Sequence, residues 1–322
     1  MEITTVAVLG GSGFVGRHVC QALAEEGYRV RVATRDRERA KKQLILLPTA
    51  EVAVVDIHVP GQLAEFIRGA DAVVNLVGVL HDGRGERGFQ AAHADLARKV
   101  VAACRECGVR RLLHMSSLRA GAQAPSAYLR SKGEAEATVR ESGLGWTLFR
   151  PSVIFGHDDN FLNLFAQILK LLPVMALGSP NARFQPVFVE DVAAAFVKAL
   201  ADLGSHGKSY DLCGPRVYTL RELVEFTAAA TGRRRTIIGL NDSLSYLQAF
   251  FMEWMPVKLL TRDNYLSMKL DSVCDCPFPF GITPAALEAM APAWLGPVTP
   301  RSRYQQFRSQ VRRYNDSATS DR

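Results

Sequence analysis

A doubly wound α/β fold, a parallel sheet with helices on both faces, is the architecture this sequence predicts. Three observations carry the prediction. A glycine-rich turn, Gly10-Gly11-Ser12-Gly13-Phe14-Val15-Gly16, directly follows the apolar run Val6-Ala7-Val8-Leu9. Up to about Arg150, short β-branched runs alternate with segments of helical periodicity. The strand runs are almost continuously apolar, as befits strands covered on both sides.

Taken in order, the predicted strands after the first are 29–34, 52–56, 72–76, 112–116 and 146–150. Between them, helices are expected over 17–26, 37–46, 61–68, 89–107 and 127–142. Past Arg150 the alternation weakens. A helix is expected over 161–172, a strand over 185–189, a helix over 191–201 and a strand over 209–212. A further helix over 219–231 opens at Thr219 with Glu222 three residues on, the capping-box spacing. This divides the chain into a nucleotide-binding domain (1–150), a smaller distal lobe interleaved with the last sheet strands (151–300) and a basic polar tail (301–322).

The composition suits such a fold. Of 322 residues, 48% are hydrophobic and 22% charged, enough for a large core. The net charge of +7 gathers partly at Arg37, Arg39, Lys41 and Lys42, and partly from Arg301 to Arg313. No helix-turn-helix, zinc-finger or aromatic-stacking pattern accompanies it, so nucleic acid is not the expected partner. Phe161–Leu177, the most apolar stretch, is broken by Asn163, Gln167, Lys170 and Pro173, so no membrane span is expected. Met1-Glu2-Ile3 leads straight into the first strand without a signal peptide or Arg-rich presequence. The expected location is cytoplasmic, with peripheral attachment at an inner membrane as an extension. The six cysteines are scattered and are read as reduced thiols, not as a disulfide framework or a zinc site.

The glycine turn has the spacing of a Rossmann-type dinucleotide loop. Gly10 turns the chain out of the strand, Gly13 lets backbone approach a pyrophosphate, and Gly16 lets the helix pack closely. Ser12, Phe14 and Val15 complete the loop, and the helix start offers amide donors and a positive dipole. At the end of the second strand stands Arg35, a planar fork suited to a 2′-phosphate. NADP(H) is therefore preferred as cofactor, with NAD(H) as the alternative. Tyr128 and Lys132, at i and i+4, share a helix face. An ammonium beside a phenol favours the phenolate, which would make Tyr128 an acid/base and Lys132 its activator.

These features, with Arg150-Pro151-Ser152-Val153-Ile154-Phe155-Gly156 and Phe188-Val189-Glu190-Asp191-Val192-Ala193, resemble an extended short-chain dehydrogenase/reductase. A narrower resemblance is carried by Tyr128-Leu129-Arg130-Ser131-Lys132, Ile154–Asn163, Gln185–Val189 and Thr261-Arg262-Asp263-Asn264. It points to the atypical subfamily that includes alpha-subcomplex subunit nine of mitochondrial complex I. The resemblance implies that Asp56 and Ile57 flank the adenine, that Leu76 to Gly78 pass beneath ribose and pyrophosphate, and that Pro151 to Val153 border the nicotinamide. It also implies an oxygen-binding hydroxyl two residues after Ser116. That place is Leu118, leaving Ser116 or Ser117 for the role. His93 stands where the broad class commonly has asparagine.

Three readings follow. The first is an NADPH-holding accessory or a quinone- or respiratory-chain-associated protein with weak or specialised redox activity. The second is an active NADP(H)-dependent reductase or epimerase/dehydratase using Tyr128 and Lys132. The third is a redox-sensing binding module. The aromatic- and Met-rich run 243–255 offers a helix for the distal lobe, or an apolar surface for a lipid, a quinone-like ligand, a bilayer or a protein.

Overall fold

The computed structural model describes residues 3–38, 50–83, 85–254 and 260–296. Most of the expected helix 37–46 and all of the basic tail lie outside these residues. Seven parallel strands form one sheet in the order β11-β6-β5-β4-β1-β2-β3. They are β1 (Thr5–Leu9), β2 (Arg29–Thr34), β3 (Ala50–Val54), β4 (Ala72–Asn75), β5 (Arg111–Met115), β6 (Gly145–Pro151) and β11 (Lys208–Leu212). The order reverses between β1 and β4, so the crevice at the switch point opens at the carboxyl ends of those strands. Register is fixed by burial: β1 pairs Val8 with Val32 on one side and Val74 on the other, all three fully buried.

On one face lie α1 (Phe14–Glu25) and α6 (Val189–Ala201). On the other lie α2 (Pro60–Ile67), α3 (Leu96–Glu106) and α4 (Ala127–Arg140). A six-residue π-helix, Gln90–Asp95, leads into α3. Such wide turns recur at functional sites, and this one carries His93.

The distal region begins with β7 (Ile154–Phe155), α5 (Leu162–Leu171) and β8 (Val174–Leu177). The expected strand 185–189 resolves instead into β9 (Arg183–Phe184) and β10 (Val187–Phe188), and Val189 already opens α6. β12 (Tyr218–Thr219) leads into α7 (Leu220–Ala230), where Thr219 and Glu222 form the expected capping box. β13 (Thr236–Gly239) pairs with β8, and α8 (Asp242–Met252) and α9 (Arg262–Ser267) follow. Two short helices, α10 (Leu287–Met290) and α11 (Pro292–Leu295), close the described chain. A separate core of Leu169, Met175, Leu177, Leu220, Val224 and Ala228 holds α5, β8 and α7 together.

The cysteines need a correction. Cys213 and Cys274 form a disulfide with their Cα atoms 6.3 Å apart. Sequence spacing hides the pair, because 61 residues separate the two and only the folded lobe brings them together. Cys20 and Cys104 remain free and buried, and burial pushes both thiols up to about 12. Among the described residues no cluster of metal-ligating side chains occurs, and no helix is long and apolar enough to cross a membrane.

Candidate functional site

The glycine turn closes on itself. Gly10 has φ +79°, in the left-handed region that favours glycine, and its carbonyl accepts the Gly13 amide at 2.9 Å. A Cβ on Gly16 would stand 2.1 Å from the Gly10 carbonyl oxygen, and one on Gly10 would stand 3.1 Å from the backbone of Leu76 and Val77. Only glycines allow this approach of loop, helix and β4. Gly13 caps α1 without a side-chain acceptor, and the first turn holds no acid. The amides of Phe14, Val15 and Gly16 are therefore the donors that the helix start offers, with Ser12 half-buried and Gly13 exposed beside them. This cradle fits a dinucleotide pyrophosphate.

Around it, Arg35 is exposed at the end of β2, after a turn in which the Thr34 hydroxyl accepts the Asp36 amide at 3.1 Å. Asp56 and Ile57 are half-buried beyond β3. The Asp56 carboxylate accepts the His58 amide at 2.9 Å, and its own amide donates to Gln62. Leu76 is buried and Gly78 exposed. Pro151 is buried with its carbonyl accepting the Leu118 amide at 3.1 Å, and Val153 is half-buried.

Tyr128, on α4, lies edge-on to the rings of Phe89 and His93, at 5.7 and 5.5 Å between centroids. Burial is the main influence on its phenol and pushes the pKa up. The Ser117 hydroxyl works against this and the Asp263 carboxylate adds to it. This differs from the expectation that Lys132 lowers it. The Lys132 ammonium is instead aimed at the Met115 carbonyl, 3.1 Å away, and burial lowers its own pKa to about 8. Tyr128 is thus held as a neutral phenol, a proton donor at physiological pH.

Of the two candidate serines, Ser117 is the one beside the phenol. The Ser116 hydroxyl is buried without a partner among the described residues, and Leu118 is buried. Gly78 touches the same centre, since a Cβ there would meet the Lys132 ammonium at 3.2 Å and His93 Nε2 at 3.7 Å.

His93 ties these parts together. Its Nε2 accepts the Val79 amide at 3.1 Å, which leaves the proton on Nδ1. Nδ1 then donates to the Ser131 hydroxyl at 2.8 Å, and Ser131 donates to the Tyr128 carbonyl at 2.8 Å. Burial, then Lys132 and His114, lowers its pKa to about 2, so the ring is neutral. Sequence reasoning missed His114. It pairs with Asn75 at 3.2 Å, is lowered to about 3, and keeps a buried Nε2 without a partner among the described residues. An apolar strand pattern gives no sign of it. Asp263 and Ser131 sat in recognisable stretches but carried no expected role.

A pocket of about 370 Å³ opens beside α9, lined by Phe250, Trp254, Thr261, Arg262 and Asp263 among others. A larger one, about 490 Å³, sits at the opposite ends of β1 and β2, away from the phenol, and holds none of these groups.

The model of the NAD dependent epimerase/dehydratase family matches residues 6–213. Subunit 9 of the alpha subcomplex of mitochondrial NADH dehydrogenase [ubiquinone] from Arabidopsis thaliana is 35% identical over 224 residues. The match covers 68% of this chain and 56% of that subunit, so the chain spans little more than half of it. A ceramide reductase of Caulobacter vibrioides is 32% identical over 248 residues, covering 74% of each chain. Among solved structures, an NADPH-dependent quinone oxidoreductase of Escherichia coli, complexed with NADPH, superimposes with a TM-score of 0.67 at 20% identity. It covers 82% of this chain and 89% of that one, a likeness of fold. With its glycine cradle, parallel sheet and Tyr128–Lys132 helix, the chain belongs to the NAD dependent epimerase/dehydratase family, in the extended short-chain dehydrogenase/reductase group that includes the complex I subunit.

Proposed function

We propose that the protein is an NADP(H)-dependent reductase acting on a carbonyl of an apolar, quinone- or lipid-like compound. The neutral Tyr128 phenol beside Ser117 carries this reading. A bound nicotinamide dinucleotide supplies hydride to a carbonyl carbon. Gly10, Ser12, Gly13, Phe14, Val15 and Gly16 hold the pyrophosphate, and Arg35 takes the 2′-phosphate. Asp56 and Ile57 flank the adenine. Leu76 and Gly78 pass under the ribose and pyrophosphate, and Pro151 and Val153 border the nicotinamide. Lys132 holds the nicotinamide ribose. Ser117 steadies the substrate oxygen while Tyr128 gives it a proton. The similarity to a ceramide reductase supports an apolar substrate.

A second reading, a nucleotide-holding accessory of a respiratory complex, is favoured by the similarity to the complex I subunit and by Leu118 in place of a hydroxyl. Tyr128→Phe separates the two. On the first reading, turnover of a quinone or long-chain ketone falls by roughly 10²–10⁴ while NADPH affinity is kept. If the purified protein keeps its nucleotide for hours against excess NADPH and reduces neither substrate class, the accessory reading holds.

A further inference from the structure

We infer that the outer face of α8, with the strand pair beside it, docks on the surface of an anionic bilayer. The helix buries only Ser245 and Ala249. Leu244, Tyr246, Leu247, Phe250 and Phe251 are exposed on its outer side, and Trp254 just beyond is 81% exposed. Leu244, Leu247, Phe251 and Trp254 follow one another at helical spacing, so the stripe that normally faces a core faces outward.

The apolar surface continues past the helix. Gln248 donates to the Ala176 carbonyl of β8 at 2.9 Å, and Ile238 of β13 stands in register with Ala176. Val174, Ala176 and Ile238 therefore share one exposed sheet face, and exposed Leu171 and Leu172 lie at its start.

The charges select the occupant. The acids at the two ends of the helix are neutralised: Asp242 by Lys269 at 2.6 Å, and Glu253 by Arg262 at 2.9 Å. Arg262 also lies over the Phe250 ring, 5.3 Å from its centroid. At the far end of β13 stand Arg233, Arg234 and Arg235, the last donating to the Leu169 carbonyl near Leu171. The described chain ends at Gly296, where a Cβ would lie 3.9 Å from the Ala230 carbonyl at the end of α7. Arg233 and Arg234 precede the strand as further cations beside Arg235. Apolar insertion and anionic headgroups together give the two signals that stable peripheral binding needs. Tryptophan and tyrosine suit the headgroup level. A second copy would bring the same cations against this face.

The docked helix is coupled to the phenol through α9. Tyr265 of α9 packs against Tyr246 and donates to Asp242, and Asp263 of α9 reaches the start of α4. The bilayer surface and the carbonyl chemistry thus share one end of the molecule, although docking does not depend on activity.

Co-sedimentation of the full chain with phosphatidylglycerol/phosphatidylcholine vesicles tests this. The protein is expected to pellet with them at low salt, less at high salt, and weakly with phosphatidylcholine alone. The double variant Phe251→Ser/Trp254→Ser should bind about tenfold or more weakly, with NADPH affinity unchanged as a check that the fold persists. Absence of pelleting at low salt overturns the proposal, as does equal pelleting of the variant. A self-association in sedimentation velocity that the variant abolishes, without vesicle binding by either form, assigns the face to a second copy and also overturns it. Reduction of a water-soluble quinone, measured without vesicles, reports separately on the catalytic reading.

Discussion

Asp263 accepts the backbone amides of Ala127 and Tyr128, at 2.6 and 3.2 Å, so a carboxylate 135 residues beyond the phenol caps the helix that carries it. Ser126 completes the cap by accepting the Leu129 amide, and Ser267 donates to Ser126. Residues of α9 thereby position the start of α4, the helix that carries Tyr128. A negative charge at a helix start is stabilising, and here it also raises the phenol pKa.

Asp263→Asn keeps the shape and removes the charge. A phenol that donates a proton loses activity as pH rises through its pKa. Since Asp263 raises that pKa, the variant should begin to lose reductase kcat/KM at a lower pH than the parent. A pH profile with an unmoved alkaline limb would show that the carboxylate serves the helix alone.

How far the sequence discloses this site depends on distance along the chain. The glycine cradle was legible because strand, turn and helix are contiguous and each glycine has its own steric reason. Tyr128 and Lys132 were legible as an i, i+4 pair. The direction of the Tyr128 shift was not, because it is set first by burial and then by Ser117 and Asp263, which the tertiary fold brings to the phenol. Asp263, His114 and the Cys213–Cys274 pair were hidden for the same reason. Each acts on a partner tens of residues away, and a periodic pattern records only near neighbours. The run 243–255 was visible as rich in aromatic residues and Met, but which side of its helix faced solvent was decided by packing on β8 and α9.

Arg35 is exposed at the end of its strand, beside the turn in which the Thr34 hydroxyl accepts the Asp36 amide. Removing it should cost the fold little. Arg35→Ala should weaken NADPH binding about tenfold, the loss of one charge-assisted contact, and leave NADH binding close to the parent. Titration of both nucleotides by fluorescence measures the ratio. An unchanged ratio removes Arg35 from the 2′-phosphate and the NADP(H) preference with it.

Acid sensitivity follows from the two buried imidazoles. In the unfolded chain both take up a proton near the usual value of 6.5, whereas in the fold His93 waits until about 2 and His114 until about 3. Between about 6.5 and 3 the unfolded state binds more protons, so stability is lost as pH falls through that window. His93→Asn removes one of the two groups and retains an acceptor for the Val79 amide. Urea denaturation at pH 7 and pH 4.5 should show a smaller difference for the variant. A difference as large as the parent's would mean that His93 is not held neutral.

Lys132 gives the opposite test at high pH. Its folded value of about 8 lies below the ordinary 10.5, chiefly through burial, with Glu136 offsetting part of the cost. Between these values the unfolded chain holds the extra proton, so stability should rise as pH climbs from about 8 towards 10.5 and level off beyond. Lys132→Met keeps much of the side-chain volume and removes the buried charge, leaving only the Met115 carbonyl without its donor. Burying an ammonium costs several kcal/mol, on the order of what an apolar replacement recovers. The variant should therefore lose reductase activity, lose the alkaline rise in stability, and melt no lower than the parent at pH 7. A lower melting temperature together with an intact alkaline rise would mean that the ammonium stabilises the fold and that the rise has another source.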